Sequence, residues 1–454
     1  MQHFDIVVIG AGGAGEAAAH LAAERGASVA VIDKELVGGS CPFWACMPSK
    51  ALLHAAAVHR AGGDYPWPKA SAFRDYMINR EGTDWPDDAG HVSALERAGA
   101  TVIRGAARFT DPGHVAVTRP DEADLEIEAG AVIVAVGSHS RVPDLPGLEA
   151  IEPWNNRQGT SARELPRSLV VLGAGPTGAE LSQVYARYGV PVTLVHANER
   201  VNDKDHPKSS ELLAAALESE GVTIRLGVRA ERIAPRAGDY GRHVVQLSDG
   251  STVEGHEILL AIGRDYPLGA LNLAAIGVEP SDGRLQPDEC LRIADNVYVA
   301  GDVAGPEMHT HLAHYQGEAA ARLALGDDMV PDLTAIPRGL YTDPETASVG
   351  LKVEEARERG IDAAEYSLDL ATTAKGYVAE AKGHVTIVVD RSARLLVGAF
   401  LAGPGVTETI HEAVLAIKQR IPLAVLADTI HAFPTVARVL GTAFVNAYRD
   451  LESG

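Results

Sequence analysis

Two of the chain's three cysteines, Cys41 and Cys46, lie five positions apart in the run Gly38-Gly39-Ser40-Cys41-Pro42-Phe43-Trp44-Ala45-Cys46-Met47-Pro48-Ser49-Lys50. Two such thiols can close into a disulfide, accept two electrons and re-form, which is redox chemistry. The alternative is a pair of inert thiols among the apolar Phe43, Trp44 and Met47. On a regular helix, residues five apart point in different directions and miss the roughly 5.5 Å Cα separation of a disulfide. A bridge therefore requires an irregular turn, which Pro42 and Pro48 are expected to favour. Met1 to Gly15 shows no basic leader, so the chain reads as cytoplasmic, where a cysteine pair is more often catalytic or metal-binding than structural. Cys290 has no neighbour to pair with and reads as a bystander.

The elements that position this pair begin upstream. Phe4 to Ile9 reads as a buried parallel strand running into Gly10-Ala11-Gly12-Gly13-Ala14-Gly15, then an Ala-rich helix from Glu16 to Arg25 and a second strand, Ser28 to Ile32. Glycines Gly10, Gly12, Gly13 and Gly15 allow a tight turn and close approach of a pyrophosphate to a helix N-terminus. Asp33, eighteen residues past Gly15, ends the second strand where a carboxylate can accept from a bare ribose diol.

The unit repeats. Ser168 to Leu172 leads into Gly173-Ala174-Gly175-Pro176-Thr177-Gly178, a helix from about Ala179 and a strand from Val192 to Val195, so two dinucleotides are expected. Eighteen residues past Gly178 stands His196, where the first unit has Asp33. Without the carboxylate a 2′-phosphate is no longer repelled and could use His196 or Arg200, which favours NADPH; the alternative is that Glu199 swings in and holds NADH. Two further strands, Val132 to Ser138 and Ile258 to Arg264, end at related turns containing Gly137 and Gly263, each closing the unit its fingerprint opened. A last strand, Asn296 to Ala300, delivers Gly301 and Asp302 at its carboxyl end.

Length and charge bound what this machinery serves. At 454 residues the chain exceeds one hydrophobic core, so two or three domains are expected. Lys plus Arg total 40 against 61 Asp plus Glu, a net charge of −21, which argues against nucleic-acid and anionic-membrane partners.

Two fingerprints, the cysteine pair and Gly301-Asp302, in this order, resemble the pyridine nucleotide-disulfide oxidoreductases, the family of dihydrolipoamide dehydrogenase, glutathione reductase and mercuric reductase. Its pattern GGxCxxxxCxPxK is matched by Gly38, Gly39, Cys41, Cys46, Pro48 and Lys50. The resemblance implies an α/β fold with two Rossmann-like nucleotide-binding domains, for FAD and NAD(P)H, plus a C-terminal α+β dimerisation domain. The expected boundaries are 1–145 and 271–330 for the two parts of the FAD domain, 146–270 for the NAD(P)H domain and 331–454 for the dimerisation domain. It further implies that Cys46 stacks on the flavin, that Cys41 is the interchange thiol, and that Lys50 pairs with Glu180 near the hydride-accepting nitrogen. Asp302 would bond the ribitol of FAD, and the helix after His311 would aim its positive end at the pyrimidine ring. The dimer domain's last segment would cross to the partner's flavin, giving a homodimer with shared active sites. His309, His311 and His314 fall within six residues, but the adjacent sequence does not complete a usual metal set.

The resemblance breaks near the C-terminus. Disulfide reductases of the family end in HPTxxE, a histidine base oriented by a glutamate, whereas this chain has Phe433-Pro434-Thr435-Val436-Ala437-Arg438. His431 lies about 7 Å along an extended chain from Phe433 and is expected to cap or pack. The reading that follows is an NAD(P)H oxidoreductase passing electrons through FAD and Cys41–Cys46 to a small-molecule acceptor that needs no such base: a quinone, a metal ion or an electrophile. A phenylalanine in this place, with GGSCPxxACxP, is also similar to 2-ketopropyl coenzyme M oxidoreductase/carboxylase. A disulfide reductase and a non-catalytic flavoprotein that binds a partner complete the alternatives.

Overall fold

The computed structural model describes every residue of the chain except 121, 237, 239, 240 and 454. Strand β1 (Gln2–Ile9) is polar at its start and fully buried from Ile6 to Ile9, the mark of a central parallel strand. It pairs in parallel with β2 (Val29–Asp33) on one side and with Leu125–Val134 on the other. Helix α1 (Gly13–Glu24) crosses between β1 and β2, burying Ala14, Ala18, Ala19 and Ala22. The sheet continues through Val297–Val299 beyond Leu125–Val134 and through Thr101–Arg104 beyond β2. Val297–Val299 thus brings Gly301 and Asp302 to the carboxyl edge where the first glycine turn lies.

The second fingerprint builds a four-stranded parallel sheet in the order Thr223–Arg225, Val192–Val195, Leu169–Leu172, Glu257–Leu260. A short antiparallel bridge of His139–Ser140 with Arg264–Asp265 ties together the two closing turns that hold Gly137 and Gly263. The C-terminal part is a five-stranded antiparallel sheet, Arg338–Leu340, Glu345–Gly350, Leu395–Gly403, His384–Asp390, Ala363–Asp369. Helix Val436–Ser453 covers it with Val436, Val439, Leu440, Ala443, Phe444 and Ala447, an apolar stripe at helical spacing.

The cysteine run forms two helices, α2 (Ser40–Trp44) and α3 (Cys46–Arg60), separated by Ala45 at φ −133°, ψ −94°. The irregular turn is therefore at Ala45. The prolines expected to make it sit inside the two helices, near their starts, where a missing N–H leaves no helical bond unmade. What stops α2 is a tether from elsewhere: the Trp44 carbonyl accepts from Asn156 Nδ2 at 2.8 Å and Thr160 Oγ1 at 3.3 Å. Both residues lie on helix Asn156–Ser161. Three helix starts also precede the expected ones. The helix expected from Glu16 begins at Gly13, that from Ala179 at Pro176, and that after His311 at Thr310.

Candidate active site

Five segments converge on the thiols. Cys46 opens α3, and Leu52, Leu53, Ala55 and Ala56 of that helix share a core with Leu181, Val184 and Tyr185 of helix Pro176–Arg187. This packing fixes Lys50 opposite Glu180. Lys50 Nζ lies 2.9 Å from both carboxylate oxygens of Glu180. Glu180, 4% exposed, also accepts from the Tyr341 N–H at 3.2 Å, and the ammonium sits 4.7 Å from the centre of the Tyr341 ring. A buried carboxylate without its cation is strongly disfavoured, so removing Lys50 would leave Glu180 uncompensated.

The thiols are free in this structure, and they are not equivalent. Hydrogen bonding between them, first of all, pulls the Cys46 thiol well below the usual cysteine range, with further help from the Thr310 hydroxyl and the Lys50 charge against the cost of burial. The same contact and burial push Cys41 up. Of the two, Cys46 is the thiol favoured to ionise and Cys41 the one held toward its protonated form. Thr310, which the sequence reading passed over, touches Cys46 Sγ at 3.3 Å through Oγ1. It is the first residue of helix Thr310–Ala324, and only a helix start one residue earlier than expected could have singled it out. Thr310→Val keeps the shape and removes the donor. Hydrogen bonds to charged groups contribute about 1.5–3 kcal/mol. Thiolate absorbance of the reduced protein is therefore expected to titrate about one to two pH units higher in the variant. An unchanged titration would mean that the hydroxyl does not stabilise the thiolate.

The glycine turns fit dinucleotides. A Cβ on Gly10 (φ +100°) would lie 2.4 Å from the Ala135 carbonyl oxygen, and one on Gly173 (φ +105°) 2.3 Å from that of Ala261. Gly15 and Gly178 are equally blocked, by the carbonyls of Gly10 and Gly173. The middle glycines differ: a Cβ on Gly12 meets nothing closer than 3.9 Å and one on Gly175 nothing within 4 Å, so no protein contact requires them to be glycine. Each leaves room for a ligand's phosphates at a helix N-terminus. Gly13 faces the His314 ring instead. Gly137 and Gly263 take positive φ at their turns.

Asp33 Oδ2 accepts from the Ala11 N–H and Oδ1 from that of Glu35, both at 2.7 Å, leaving lone pairs for a ribose diol. Asp302 is bonded by the Ser138 hydroxyl and lies 3.8 Å from Arg264 Nε, while the buried Gln316 accepts from the Gly301 N–H. In the second unit His196 and Arg200, the residues expected at a 2′-phosphate, both contact protein atoms. His196 Nδ1 accepts from the Ala174 N–H at 3.2 Å and Nε2 faces Asp203 at 3.3 Å, so neither nitrogen is free. Arg200 turns toward the Asp203 carbonyl, and its buried Nε has no hydrogen-bond partner among the described residues.

Of the three clustered histidines, His309 and His311 stack with ring centres 5.1 Å apart, His309 bonding Glu307 and His311 the Pro337 carbonyl, while His314 lies against Gly13. Phe433 and Arg438 stand outside the thiol cluster. Phe433 is 74% exposed beside Ile430 at 97%. His431, whose side chain is buried, packs over Gly441. Its Nδ1 lies 2.9 Å from the Thr429 carbonyl and its Nε2 2.8 Å from Glu412, so both ring nitrogens are engaged away from the thiols.

With this geometry in hand the relationships are plain. Residues 4–317 match the model of the pyridine nucleotide-disulphide oxidoreductases, and residues 336–444 match that family's dimerisation domain. The chain belongs to this family and is an FAD-dependent oxidoreductase that uses NAD(P)H. It is 30% identical to dihydrolipoyl dehydrogenase of Chlorobaculum tepidum, over 99% of this chain and 98% of that one, and 28% identical to mercuric reductase of Staphylococcus aureus, over 99% and 83%. Among solved structures it superposes on LpdA from Mycobacterium tuberculosis with a TM-score of 0.87 at 27% identity, covering 98% of this chain and 99% of that one. It also matches the Cu(II) complex of the HOCl-induced flavoprotein disulfide reductase RclA from Escherichia coli, with a TM-score of 0.87 at 25% identity over 98% and 100%. Among the described residues no helix is long and apolar enough to cross a membrane.

Proposed function

We propose that this enzyme moves electrons from NAD(P)H through FAD to Cys41 and Cys46 and on to an acceptor that does not need a histidine base, with a soft metal ion as the preferred class. The observation that carries this reading is the pairing of an acidified Cys46 with an unassisted Cys41. FAD, when bound, takes a hydride from NAD(P)H and supplies the electron pair that opens the disulfide. Lys50, positioned by Glu180, places a cation beside that chemistry and favours negative charge on the reduced centre. Thr310 and the first turn of α3 hold the thiolate on Cys46.

Disulfide exchange further requires that Cys41 lose its proton to a positioned base and that the leaving thiol regain one. Phe433 cannot serve, and His431 has both nitrogens committed. A thiophilic cation removes the difficulty, because metal binding itself displaces the thiol proton to solvent. Two electrons then leave as the Cys41–Cys46 bond re-forms, reducing one two-electron or two one-electron acceptors. That one relative is named for mercury and another was solved with Cu(II) supports this class over a quinone. The full-length likeness to dihydrolipoyl dehydrogenase favours disulfide reduction as the second reading. In both, the chain works as a cytoplasmic homodimer in which Phe433 reaches the partner's thiols.

The test is steady-state NAD(P)H oxidation against Cu(II), Hg(II), quinones, lipoamide, glutathione disulfide and a β-ketothioether. Metal-ion turnover well above lipoamide turnover is expected. The reverse order would move the protein to the disulfide reductases.

A further inference from the structure

The strand end of the second fingerprint repeats one bond of the first with a different residue. In the first unit Asp33 Oδ2 accepts the Ala11 N–H; in the second, His196 Nδ1 accepts the N–H of Ala174, the residue in the same place of the glycine turn. A nitrogen that accepts carries no hydrogen, so the ring's N–H is on Nε2 and points at Asp203 Oδ1, 3.3 Å away. The second oxygen of Asp203 accepts from Asn198 Nδ2 at 2.9 Å. His196 has therefore taken over the structural bond of the missing carboxylate and bears a carboxylate on its far side. The Asp203 side chain is 33% exposed against 15% for His196, so the anion faces outward more than the ring does.

The neighbouring cations do not neutralise it. Arg200 reaches the Asp203 backbone carbonyl, at 3.5 Å, and Arg225 is spent on Asp249 and Ser251. Glu199, the other carboxylate after this strand, lies over Gly227.

We propose that Asp203 sets the nucleotide preference of this enzyme, accepting hydrogen bonds from the unphosphorylated adenosine ribose of NADH and repelling the 2′-phosphate of NADPH. The negative charge lost at position 196 returns on the loop seven residues later, held in place by His196 and Asn198. The inference rests on the second fingerprint holding NAD(P)H and names which form it takes.

Calorimetric titration of the FAD-loaded protein with ADP-ribose and with 2′-phospho-ADP-ribose reads this subsite without turnover. ADP-ribose is expected to bind at least about tenfold more tightly, as loss of a hydrogen bond to a charged group commonly costs that much. In Asp203→Asn the unphosphorylated ligand should weaken and the phosphorylated one tighten, and Asp203→Glu should restore the original order. Flavin reduction should follow, the NADH and NADPH difference lying in KM. Equal or tighter binding of the 2′-phosphate by the native protein would overturn the proposal. So would an unchanged ratio in Asp203→Asn, since a purely structural aspartate would weaken both ligands together. If neither ligand binds but NADH still reduces the flavin, the ribose lies elsewhere and the proposal falls alone. If neither nucleotide reduces the flavin while dithionite does, the assignment of the second fingerprint falls with it.

Discussion

The double substitution Phe433→His with Arg438→Glu is expected to raise turnover of small disulfides such as lipoamide by about 10²- to 10⁴-fold, the usual contribution of a positioned general base. Under the proposed function it supplies the imidazole base and the orienting carboxylate that Phe433 and Arg438 are proposed to replace. Phe433 projects from its own chain at 74% exposure, so the replacement does not disturb a core. The rate should rise with pH through an ionisation near that of histidine, about 6.5, because only the neutral ring can take the Cys41 proton. Reduction of the flavin by NAD(P)H should barely change. Phe433→His alone should gain less, since a ring beside the Arg438 guanidinium is poorly oriented and its protonated form disfavoured. Native turnover already equal to that of the double variant would mean that another group serves as the base. His431 would then have to leave Glu412 to act.

Cys46→Ser is expected to abolish both turnover and the long-wavelength absorbance of a thiolate packed on oxidised flavin. Cys41→Ser should instead show that absorbance without added reductant, because Cys46 can no longer be held in a disulfide. Cys46 is acidified chiefly by Cys41, with Thr310 and Lys50 adding to it, so the two sulfurs are not interchangeable. In the reduced native protein the band should be present above the depressed Cys46 value and lost as pH falls through it. If the two variants have the same spectrum as the native protein, the cysteines are inert and electrons leave the flavin by another route.

Much of this site was legible in the sequence because its determinants are local. Glycine turns, apolar runs and the spacing of Cys41, Cys46 and Lys50 act within a few residues, and Glu180 could be placed from the family pattern. What stayed hidden was set by tertiary contacts. The break at Ala45 depends on Asn156 and Thr160, more than a hundred residues away, and the prolines that seemed to explain it sit quietly in helix starts. Thr310 and Tyr341 meet Cys46, Lys50 and Glu180 only because three separate sheets bring them there. That both nitrogens of His196 are taken within the protein is likewise not visible in a sequence.

The central claim, that electrons leave the thiol pair for an acceptor needing no histidine base, is tested most directly by rapid mixing. Native protein reduced anaerobically with one equivalent of NAD(P)H is mixed with Cu(II), Hg(II) or lipoamide while the thiolate absorbance is followed. The account predicts rapid loss of the band with the metal ions and loss at least about 10²-fold slower with lipoamide, the deficit of a missing base. Discharge by lipoamide as fast as by the metal ions would contradict it.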